Sequence, residues 1–462
     1  MRQSFKNSAI VAMRTALVLF VLAFSLAAQG KNPIILIPGL TGSELIDKKT
    51  GDKIWIRAFK SKNEDLRLPI STDPVKAGDG LVPGDIVRNI KVGPFEVADF
   101  YGKFIDAMEV RGGYHEEKWA EPSPEGFADS LYVFPYDWRL DIVTNAQRLV
   151  ADVEELKIKL KKQDIKFDIV GHSMGGLIAR YAAMYGKADL PSGKSKAVPT
   201  WAGARHFDKV ILLATPNEGT VSSLDAFIHG YSIRGISLDL PFVEDTSRFT
   251  IFTCPSAYQL LPAPGTIRIY NDKLEAVSVD IYDPKVWSKY GWDPMTDRDF
   301  VSQFSAAERK AAPAFFEAAL ERAKSLHQAL AAANGKSGDI TFHSVGSDCK
   351  TALDAVLLYR DEKNDKWRTL FRPKGFTRSD GQKITDDELR ELMMASGDGT
   401  VTRRSFETQT QGQMLRVASV AGSQTTQFFC DGHSKLAANS RVQDHIISLL
   451  EPGLDRIADR TK

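Results

Sequence analysis

The chain has 462 residues, of which 43% are hydrophobic and 26% charged, and its 60 basic and 59 acidic residues leave a formal net charge of +1. A chain of this length and composition can bury a large core, as one α/β domain with insertions or as two domains. The balanced charge gives no electrostatic footprint for nucleic acid or for anionic membranes.

The first 27 residues are typical of an export signal. A positive start without acidic residues is followed by the apolar run 16–27, in which Ser25 and Ala27 suit a cleavage site. The run is shorter than the roughly 20 residues that span a bilayer, and no later run is long and apolar enough. We therefore expect a signal peptide at 1–27 and an exported protein, secreted or periplasmic. An uncleaved N-terminal membrane anchor is the alternative.

The chain has three cysteines, at Cys254, Cys349 and Cys430, and their spacing matches no metal-binding pattern. Export would permit one disulfide and leave one thiol over. Cys349 with Cys430 is the pair to test.

Short apolar segments alternate with helical patterns along most of the chain. The predicted strands, in order, are 31–38, 131–134, 167–170, 206–214, 339–345 and 414–420. The predicted helices are 142–160, 174–185, 313–333 and 436–450. For the third helix we expect Pro313 in the first turn and Asn334-Gly335 at the C-terminal cap.

This alternation predicts the fold class. Strands followed by helices imply an α/β protein with a mostly parallel sheet and helices on both faces. The alternation stops at 217–338, which is rich in aromatic residues and loop signals. We expect a core formed by 28–216 and 339–462, a lid-like insertion at 40–100, and a cap at 217–338.

The strongest local signal is Gly171-His-Ser-Met-Gly-Gly176. It follows a predicted strand and precedes a predicted helix, which is the context of a nucleophile elbow. Small residues let the strand and the helix approach closely, and the turn holds Ser173 at the end of the sheet. Ser173 is therefore the expected nucleophile of an α/β-hydrolase fold.

A serine hydroxyl needs a general base, and eight histidines compete for that role. His172 lies inside the elbow and is expected to point away from the base position. His343 lies within a strand, and His445 lies on the apolar face of a helix. His433 follows the last predicted strand, and it fits the chain order of serine, acid and histidine in this fold.

The acid is expected between the strands 339–345 and 414–420. Asp348 lies just past the first of these strands, and Asp398 lies in the glycine-flanked stretch Gly397-Asp-Gly-Thr-Val401. Loop chemistry favours Asp398 only slightly, so both candidates stay open at this point. The expected oxyanion donors are the N–H of Leu40, in the loop after the first strand, and the N–H of Met174.

These motifs resemble one family, that of lecithin:cholesterol acyltransferase, lysosomal phospholipase A2 and phospholipid:diacylglycerol acyltransferase. The similar segments run in consistent order from about 33 to 447, and Pro135-Tyr-Asp-Trp-Arg139 is the most specific of them. The others are the stretches 34–45, 54–56, 171–175, 214–219, 255–262, 397–401, 432–436 and 444–447.

Carried over residue by residue, the resemblance implies a triad of Ser173, Asp398 and His433, with Leu40 and Met174 in the oxyanion hole. It thereby favours Asp398 over Asp348. The chain departs from the family at 187–206 and 267–338, and it lacks the cysteine pair that clips the lid in several members. Lid position and substrate choice therefore do not carry over.

The expected function is a serine-dependent lipid O-acyltransferase or acyl hydrolase that works through an acyl-serine intermediate. The alternatives are a carboxylesterase or triacylglycerol lipase without transferase activity, and a catalytically dead relative that binds lipid. We expect no metal and no organic cofactor. The expected partner is a lipid substrate at a membrane or lipoprotein-like interface, with no nucleic acid, and the sequence leaves the oligomeric state open.

Overall fold

A computed structural model describes most of the chain beyond the N-terminal segment. The described residues are 31–56, 65–76, 78–92, 95–123, 125, 127–191, 193, 195–231, 246–332, 340–361, 365–378, 380–407 and 426–451. The predicted signal peptide and the predicted strand 414–420 lie outside these ranges.

The elements are numbered here in chain order. The strands are β1 (Ile34–Ile37), β2 (Ser43–Asp47), β3 (Lys53–Trp55), β4 (Leu81–Ile86), β5 (Asn89–Val92), β6 (Phe95–Asp99), β7 (His115–Glu116), β8 (Ser130–Val133), β9 (Phe167–His172), β10 (Phe207–Leu213), β11 (Arg268–Tyr270), β12 (Thr341–Gly346), β13 (Lys350–Leu353), β14 (Ala355–Asp361), β15 (Lys366–Leu370), β16 (Phe376–Thr377), β17 (Lys383–Ile384), β18 (Met394–Gly397) and β19 (Thr426–Phe428). The α-helices are α1 (Gly102–Val110), α2 (Ile142–Leu160), α3 (Met174–Tyr185), α4 (Val221–His229), α5 (Arg248–Thr253), α6 (Pro255–Gln259), α7 (Pro284–Tyr290), α8 (Arg298–Gln303), α9 (Ala306–Ala331), α10 (Asp386–Met393), α11 (Arg403–Glu407) and α12 (Ser440–Leu450).

A seven-stranded sheet forms the centre of the fold, in the order β19-β12-β10-β9-β1-β8-β7, and all of its pairings are parallel. Strands β1, β8 and β9 are buried along their whole length, as expected for apolar strands covered on both faces. The prediction of a mostly parallel α/β sheet is confirmed.

The capping residues and the apolar spacing of α2 explain why this segment is helical. The Asp141 carboxylate accepts a hydrogen bond from the Thr144 N–H at the N-cap, and Lys161 ends the helix in a left-handed conformation. Leu149, Val153 and Leu156, at helical spacing, are buried against the core. The amphipathic pattern therefore packs α2 against the sheet, as predicted.

The long cap helix α9 begins earlier than the sequence prediction. It starts at Ala306 rather than at Pro313, because Ser305 and Glu308 form a capping box. Pro313 lies inside the helix, so its placement in the first turn was wrong. The predicted C-terminal cap, Asn334-Gly335, lies outside the described residues.

Two further differences concern the C-terminal part. The strand described at the far edge of the central sheet is β19, which follows the predicted strand 414–420 in the chain. The last helix begins at Ser440 rather than at Leu436, because the Asn439 side chain accepts hydrogen bonds from the Arg441 and Val442 N–H groups. The residues before it, His433–Lys435, form a 3-10 turn.

The segments outside the central sheet form smaller units. Within the predicted insertion 40–100, β2 pairs with β3 and β4, and β5 pairs with β6. Strand β11 lies in the predicted cap and pairs with β14, which in turn pairs with β15. Strands β14 and β15, assigned from sequence to the core, thus share a small sheet with β11 of the predicted cap, a long-range pairing that local patterns do not encode. The division into core and cap stays a prediction.

A disulfide joins Cys349 to Cys430, the pair singled out from the sequence, while Cys254 is buried and unbridged. The cross-link ties the segment after β12 to the segment after β19. None of the helices in the described ranges combines the length and apolarity needed to cross a bilayer.

Candidate active site

Ser173 lies at a sharp turn between β9 and α3, with φ 52° and ψ −122°. A residue other than glycine pays a steric cost in this conformation, so the surrounding packing must impose it. A Cβ on Gly175 would lie 2.5 Å from the backbone oxygen of Ile37, and one on Gly171 would lie 2.7 Å from Gly176. The glycines are therefore required by the tight approach of strand, helix and neighbouring loop.

His433 reaches Ser173 from the far end of the chain. Its Nε2 lies 2.9 Å from Ser173 Oγ, and its Nδ1 lies 2.6 Å from Asp398 Oδ2. The His433 backbone N–H also donates to the Asp398 carbonyl at 2.9 Å. The structure thus joins a hydroxyl, an imidazole and a carboxylate in one hydrogen-bonded row.

Asp398 is held by its own loop. Its Oδ1 accepts the backbone N–H groups of Thr400, at 2.9 Å, and Val401, at 2.7 Å. Its side chain is fully buried, so Oδ2 is directed at His433. These two N–H donors fix the direction of the carboxylate.

Asp348, the other candidate acid, forms an ion pair with Arg403 instead of contacting His433. Its carboxylate pairs with Arg403 at 3.2 Å and is about one-third exposed. The geometry therefore brings Asp398, and not Asp348, to the histidine that contacts Ser173.

Leu40 and Met174 both lie beside Ser173. Leu40 lines the cleft in which Ser173 lies, and a Cβ on the preceding Gly39 would come within 2.9 Å of Ser173 Cβ. Met174 is the first residue of α3, so its N–H lies at the positive end of the helix, where backbone donors lack helical partners. Both positions are compatible with binding an oxyanion, a role that stays a prediction.

The loop that carries Leu40 is braced by two segments noted in the sequence. The Trp55 indole donates to the Thr41 carbonyl at 3.0 Å, and the Tyr136 hydroxyl donates to the Pro38 carbonyl at 2.8 Å. Arg139, in the same stretch as Tyr136, is buried in ion pairs with Asp137 and with Asp79 of the insertion. The Pro135-Tyr-Asp-Trp-Arg139 stretch therefore joins the loop, the core and the insertion.

Sequence reasoning missed the partner of His172. The ring is buried, and its Nδ1 lies 2.7 Å from the Tyr101 hydroxyl, at the start of α1. Burial, reinforced by the neighbouring His433, lowers the pKa of His172 to about 3. No local signal marks Tyr101, because it meets His172 from 71 positions away. His343 is buried in β12 and His445 lies on α12, and neither is among the residues that line the cleft.

The cleft above Ser173 has a volume of about 1010 Å³, its open mouth included. Its walls are largely apolar and come from two sides of the molecule. The insertion contributes Ile56, Val87 and Phe100, and the cap contributes Ala226, Tyr231, Ile251, Ala257 and Leu260. The cleft is also lined by the hydroxyl-bearing residues Thr41, Thr220, Ser222, Ser223, Thr400 and Ser434. Among the described residues, no group of three or more His, Cys, Asp or Glu side chains is placed to hold a metal ion.

One family model matches part of the chain. The model of the lecithin:cholesterol acyltransferase family matches residues 126–304, which include the elbow and much of the cap. No curated protein has a matching sequence.

Among solved structures, a chain in the crystal structure of the Tle4–Tli4 complex has 13% identity and a TM-score of 0.50, and the match covers 91% of this chain and 98% of that one. The mature form of Bacillus licheniformis lipase BlEst2 has 10% identity and a TM-score of 0.35, over 92% of this chain and 93% of that one. The parallel central sheet and the match at a TM-score of 0.50 confirm the fold prediction: the chain has an α/β-hydrolase fold.

Proposed function

The chain carries a lecithin:cholesterol acyltransferase family segment within an α/β-hydrolase fold, and from this premise we propose that it hydrolyses or transfers ester-linked acyl groups of lipids. The observation that carries the proposal is the continuous row Ser173–His433–Asp398 at the base of an apolar cleft. Such a row supplies a nucleophile, a base and a group that orients the base.

In the proposed first step, His433 Nε2 removes the Ser173 proton as Oγ attacks the ester carbonyl. Asp398 holds the Nδ1–H tautomer and stabilises the imidazolium that forms. The N–H groups of Leu40 and Met174 bind the tetrahedral oxyanion. The ester C–O bond then breaks, His433 returns the proton to the leaving alcohol, and an acyl-Ser173 remains.

The second step decides between hydrolysis and transfer. Water or an alcohol attacks the acyl-serine, with His433 again removing the proton, and Ser173 is released. The triad treats both acceptors alike, so the outcome depends on which one is held beside His433 in a reactive orientation. The apolar cleft favours a lipophilic alcohol, and we propose hydrolysis without an acceptor and partial transfer when one is present.

The walls of the cleft support the proposal of a lipid substrate. Two apolar surfaces meet above Ser173, which suits a long acyl chain better than a small polar ester. A substrate of this kind is presented at a membrane or lipoprotein-like surface. Export through the N-terminal segment would bring the protein to such a surface outside the cytoplasm, and this localisation is part of the proposal.

The test compares the wild type with Ser173→Ala on labelled phospholipid vesicles, with and without a sterol, a fatty alcohol or a diacylglycerol. We expect free fatty acid without an acceptor, an additional ester with one, and neither product from the variant. Free fatty acid alone under every condition would remove the transferase part and leave a lipase or phospholipase. Turnover by Ser173→Ala would contradict the serine mechanism. A wild type that turns over neither short nor long esters would favour a lipid-binding relative without catalysis.

A further inference from the structure

A buried row of hydrogen bonds links the two sides of the site behind Ser173. The Gly39 N–H donates to the Tyr101 hydroxyl at 2.8 Å, and this hydroxyl lies 2.7 Å from His172 Nδ1. On the far side of the ring, His172 Nε2 lies 3.3 Å from the His433 carbonyl oxygen. The row therefore runs from the loop that carries Leu40 to the main chain of the base.

The partners fix the proton positions along the row. The Tyr101 hydroxyl accepts from Gly39, so its own hydrogen is free to donate to His172 Nδ1. The ring is then the Nε2–H tautomer, and Nε2–H faces a carbonyl oxygen that can only accept. The opposite tautomer would direct a lone pair of Nε2 at that carbonyl and leave the buried contact repulsive.

Burial keeps both side chains in these states. Tyr101 is 3% exposed and His172 is 6% exposed. Burial raises the pKa of Tyr101 and lowers the pKa of His172 to about 3. The hydroxyl therefore stays protonated and the imidazole stays neutral at any pH at which an ester hydrolase is assayed.

Packing joins the same segments that the row of hydrogen bonds connects. A Cβ on Gly39 would lie 3.2 Å from His172 Nδ1, so the loop already rests on the His172 ring. The rings of Tyr101 and His172 meet edge to face at 5.6 Å, and those of His172 and His433 lie 5.3 Å apart. Packing and hydrogen bonds thus act on the same three segments.

We propose that Tyr101 and His172 are positioning residues that set the distance between the oxyanion loop, Ser173 and His433. The proposal rests on the proposed function, because it assigns to the pair an effect on that same site. Neither side chain takes a proton from the substrate, and both act through the backbone of Gly39 and His433.

The decisive variant is Tyr101→Phe, which keeps the ring and removes the hydroxyl. The Gly39 N–H and His172 Nδ1 then lose their buried partner, so the loop and the ring can move. Deleting an oxyanion donor costs about 10²- to 10³-fold in kcat, and for a displaced donor we expect a loss of roughly 10- to 100-fold. The loss should lie in kcat with KM nearly unchanged, and it should be equal for short and long acyl chains.

Tyr114→Phe is the matched control. Tyr114 is as buried as Tyr101, and its hydroxyl has no hydrogen-bond partner among the described residues. Removing that hydroxyl should leave kcat unchanged. The comparison therefore separates the hydrogen bonds of Tyr101 from the general effect of deleting a buried hydroxyl.

His172 offers a second pair of variants. His172→Phe keeps the ring volume and loses both hydrogen bonds, whereas His172→Gln retains a neutral donor that can reach the His433 carbonyl. We expect a loss of at least tenfold for the first, on the same basis, and partial rescue by the second. All variants are assayed on short-chain and long-chain nitrophenyl esters, with kcat normalised to the active sites that a fluorophosphonate labels.

The outcomes separate the two proposals. An unlabelled, inactive wild type would overturn the proposed function itself. A labelled, active wild type with equal kcat for Tyr101→Phe and Tyr114→Phe would overturn the positioning role alone. A kcat loss confined to long-chain esters, or a rise in KM with kcat unchanged, would also overturn it, because either result assigns Tyr101 to substrate binding. If Tyr101→Phe does not fold, the His172→Phe and His172→Gln comparison decides.

Discussion

At the residue scale, the two aspartates near the site differ in their surroundings rather than in their chemistry. Asp398 is buried, accepts two backbone N–H groups and faces His433, whereas Asp348 lies in a partly exposed ion pair with Arg403. Only a carboxylate fixed in direction can hold an imidazole in one tautomer.

Asp398→Asn should therefore lower turnover by roughly 10³- to 10⁴-fold, the effect of holding the base in the wrong tautomer. Asp348→Asn is the control, and we expect a change of less than threefold, since exposed ion pairs contribute little. Steady-state kinetics on a soluble ester measures both. A severe loss for Asp348→Asn combined with a mild one for Asp398→Asn would reverse the assignment.

The two C-terminal histidines give a second test at this scale. His433→Ala should abolish turnover as completely as Ser173→Ala, because the two residues act as one unit. His445→Ala should retain turnover, since His445 lies on α12 and packs against Phe429 rather than Ser173. Activity assays and thermal unfolding of both variants check this. The assignment of the base fails if His445→Ala is inactive while folded.

At the element scale, the disulfide holds the segment that delivers His433. Cys430 lies three positions before His433 and is tied to Cys349, just after β12, across a sequence separation of 81. Closing a loop of this length restricts the unfolded chain, which corresponds to roughly 3–5 kcal/mol in the chain-entropy description.

Replacing both cysteines by serine should lower the free energy of unfolding by about 2–4 kcal/mol, the range typical of disulfides in proteins and somewhat below the chain-entropy value. It should also reduce kcat, because His433 loses a tether. Cys254→Ala is the control, since it removes a buried thiol and keeps the cross-link. Denaturant unfolding and ester kinetics measure the two effects. Unchanged stability in the double variant would show that the cross-link restrains little.

The cap wall makes a separate prediction. Ala226 of α4 lines the cleft, and a phenylalanine there would fill space that a long acyl chain needs. Ala226→Phe should lower kcat/KM for long-chain esters by about tenfold or more, the scale of several lost apolar contacts, and spare short ones. Ala314→Phe, at an exposed position of α9, is the matched control. Equal losses on both chain lengths would indicate a folding defect instead of a narrowed cleft.

At the scale of the whole molecule, three buried histidines make stability depend on pH. Burial lowers the pKa of His172 to about 3 and the pKa values of His206 and His327 to about 4, from the ordinary 6.5. Below pH 6.5 these histidines bind protons in the unfolded chain but stay neutral in the folded protein. Acid therefore favours unfolding. Asp168 acts in the opposite direction, because burial raises its pKa to about 7 and the folded state then holds an extra proton.

For these four groups, three histidines against one aspartate leave a net uptake of about two protons on unfolding between about pH 4.5 and 5.5. The free energy of unfolding should therefore fall by roughly 2–3 kcal/mol per pH unit as the pH is lowered through this window. Guanidinium unfolding at several pH values measures the slope. His206→Gln should reduce the proton uptake on unfolding by about one, and the slope by about 1.4 kcal/mol per pH unit. A flat or rising stability on acidification would contradict the buried, neutral state of these histidines.

The sequence by itself determined the local features of this protein. The apolar strands, the amphipathic α2 and the elbow at Ser173 follow from the order of neighbouring residues, because strand burial, helical spacing and a tight glycine turn are short-range properties. The capping box at Ser305 was also readable, and it is the signal that would have corrected the start of α9.

Tertiary structure decided everything that depends on distant partners. Loop chemistry left Asp348 and Asp398 nearly equal, and the family resemblance, not the residues alone, favoured Asp398. Only the folded chain brings His433 across 260 positions to Ser173, places Tyr101 against His172, and pairs β11 with β14. His433 meets Ser173 because parallel strands gather the ends of separate segments at one edge of the central sheet. The pairing of β11 with β14 lies in a separate small sheet, and no local pattern in the sequence indicates it.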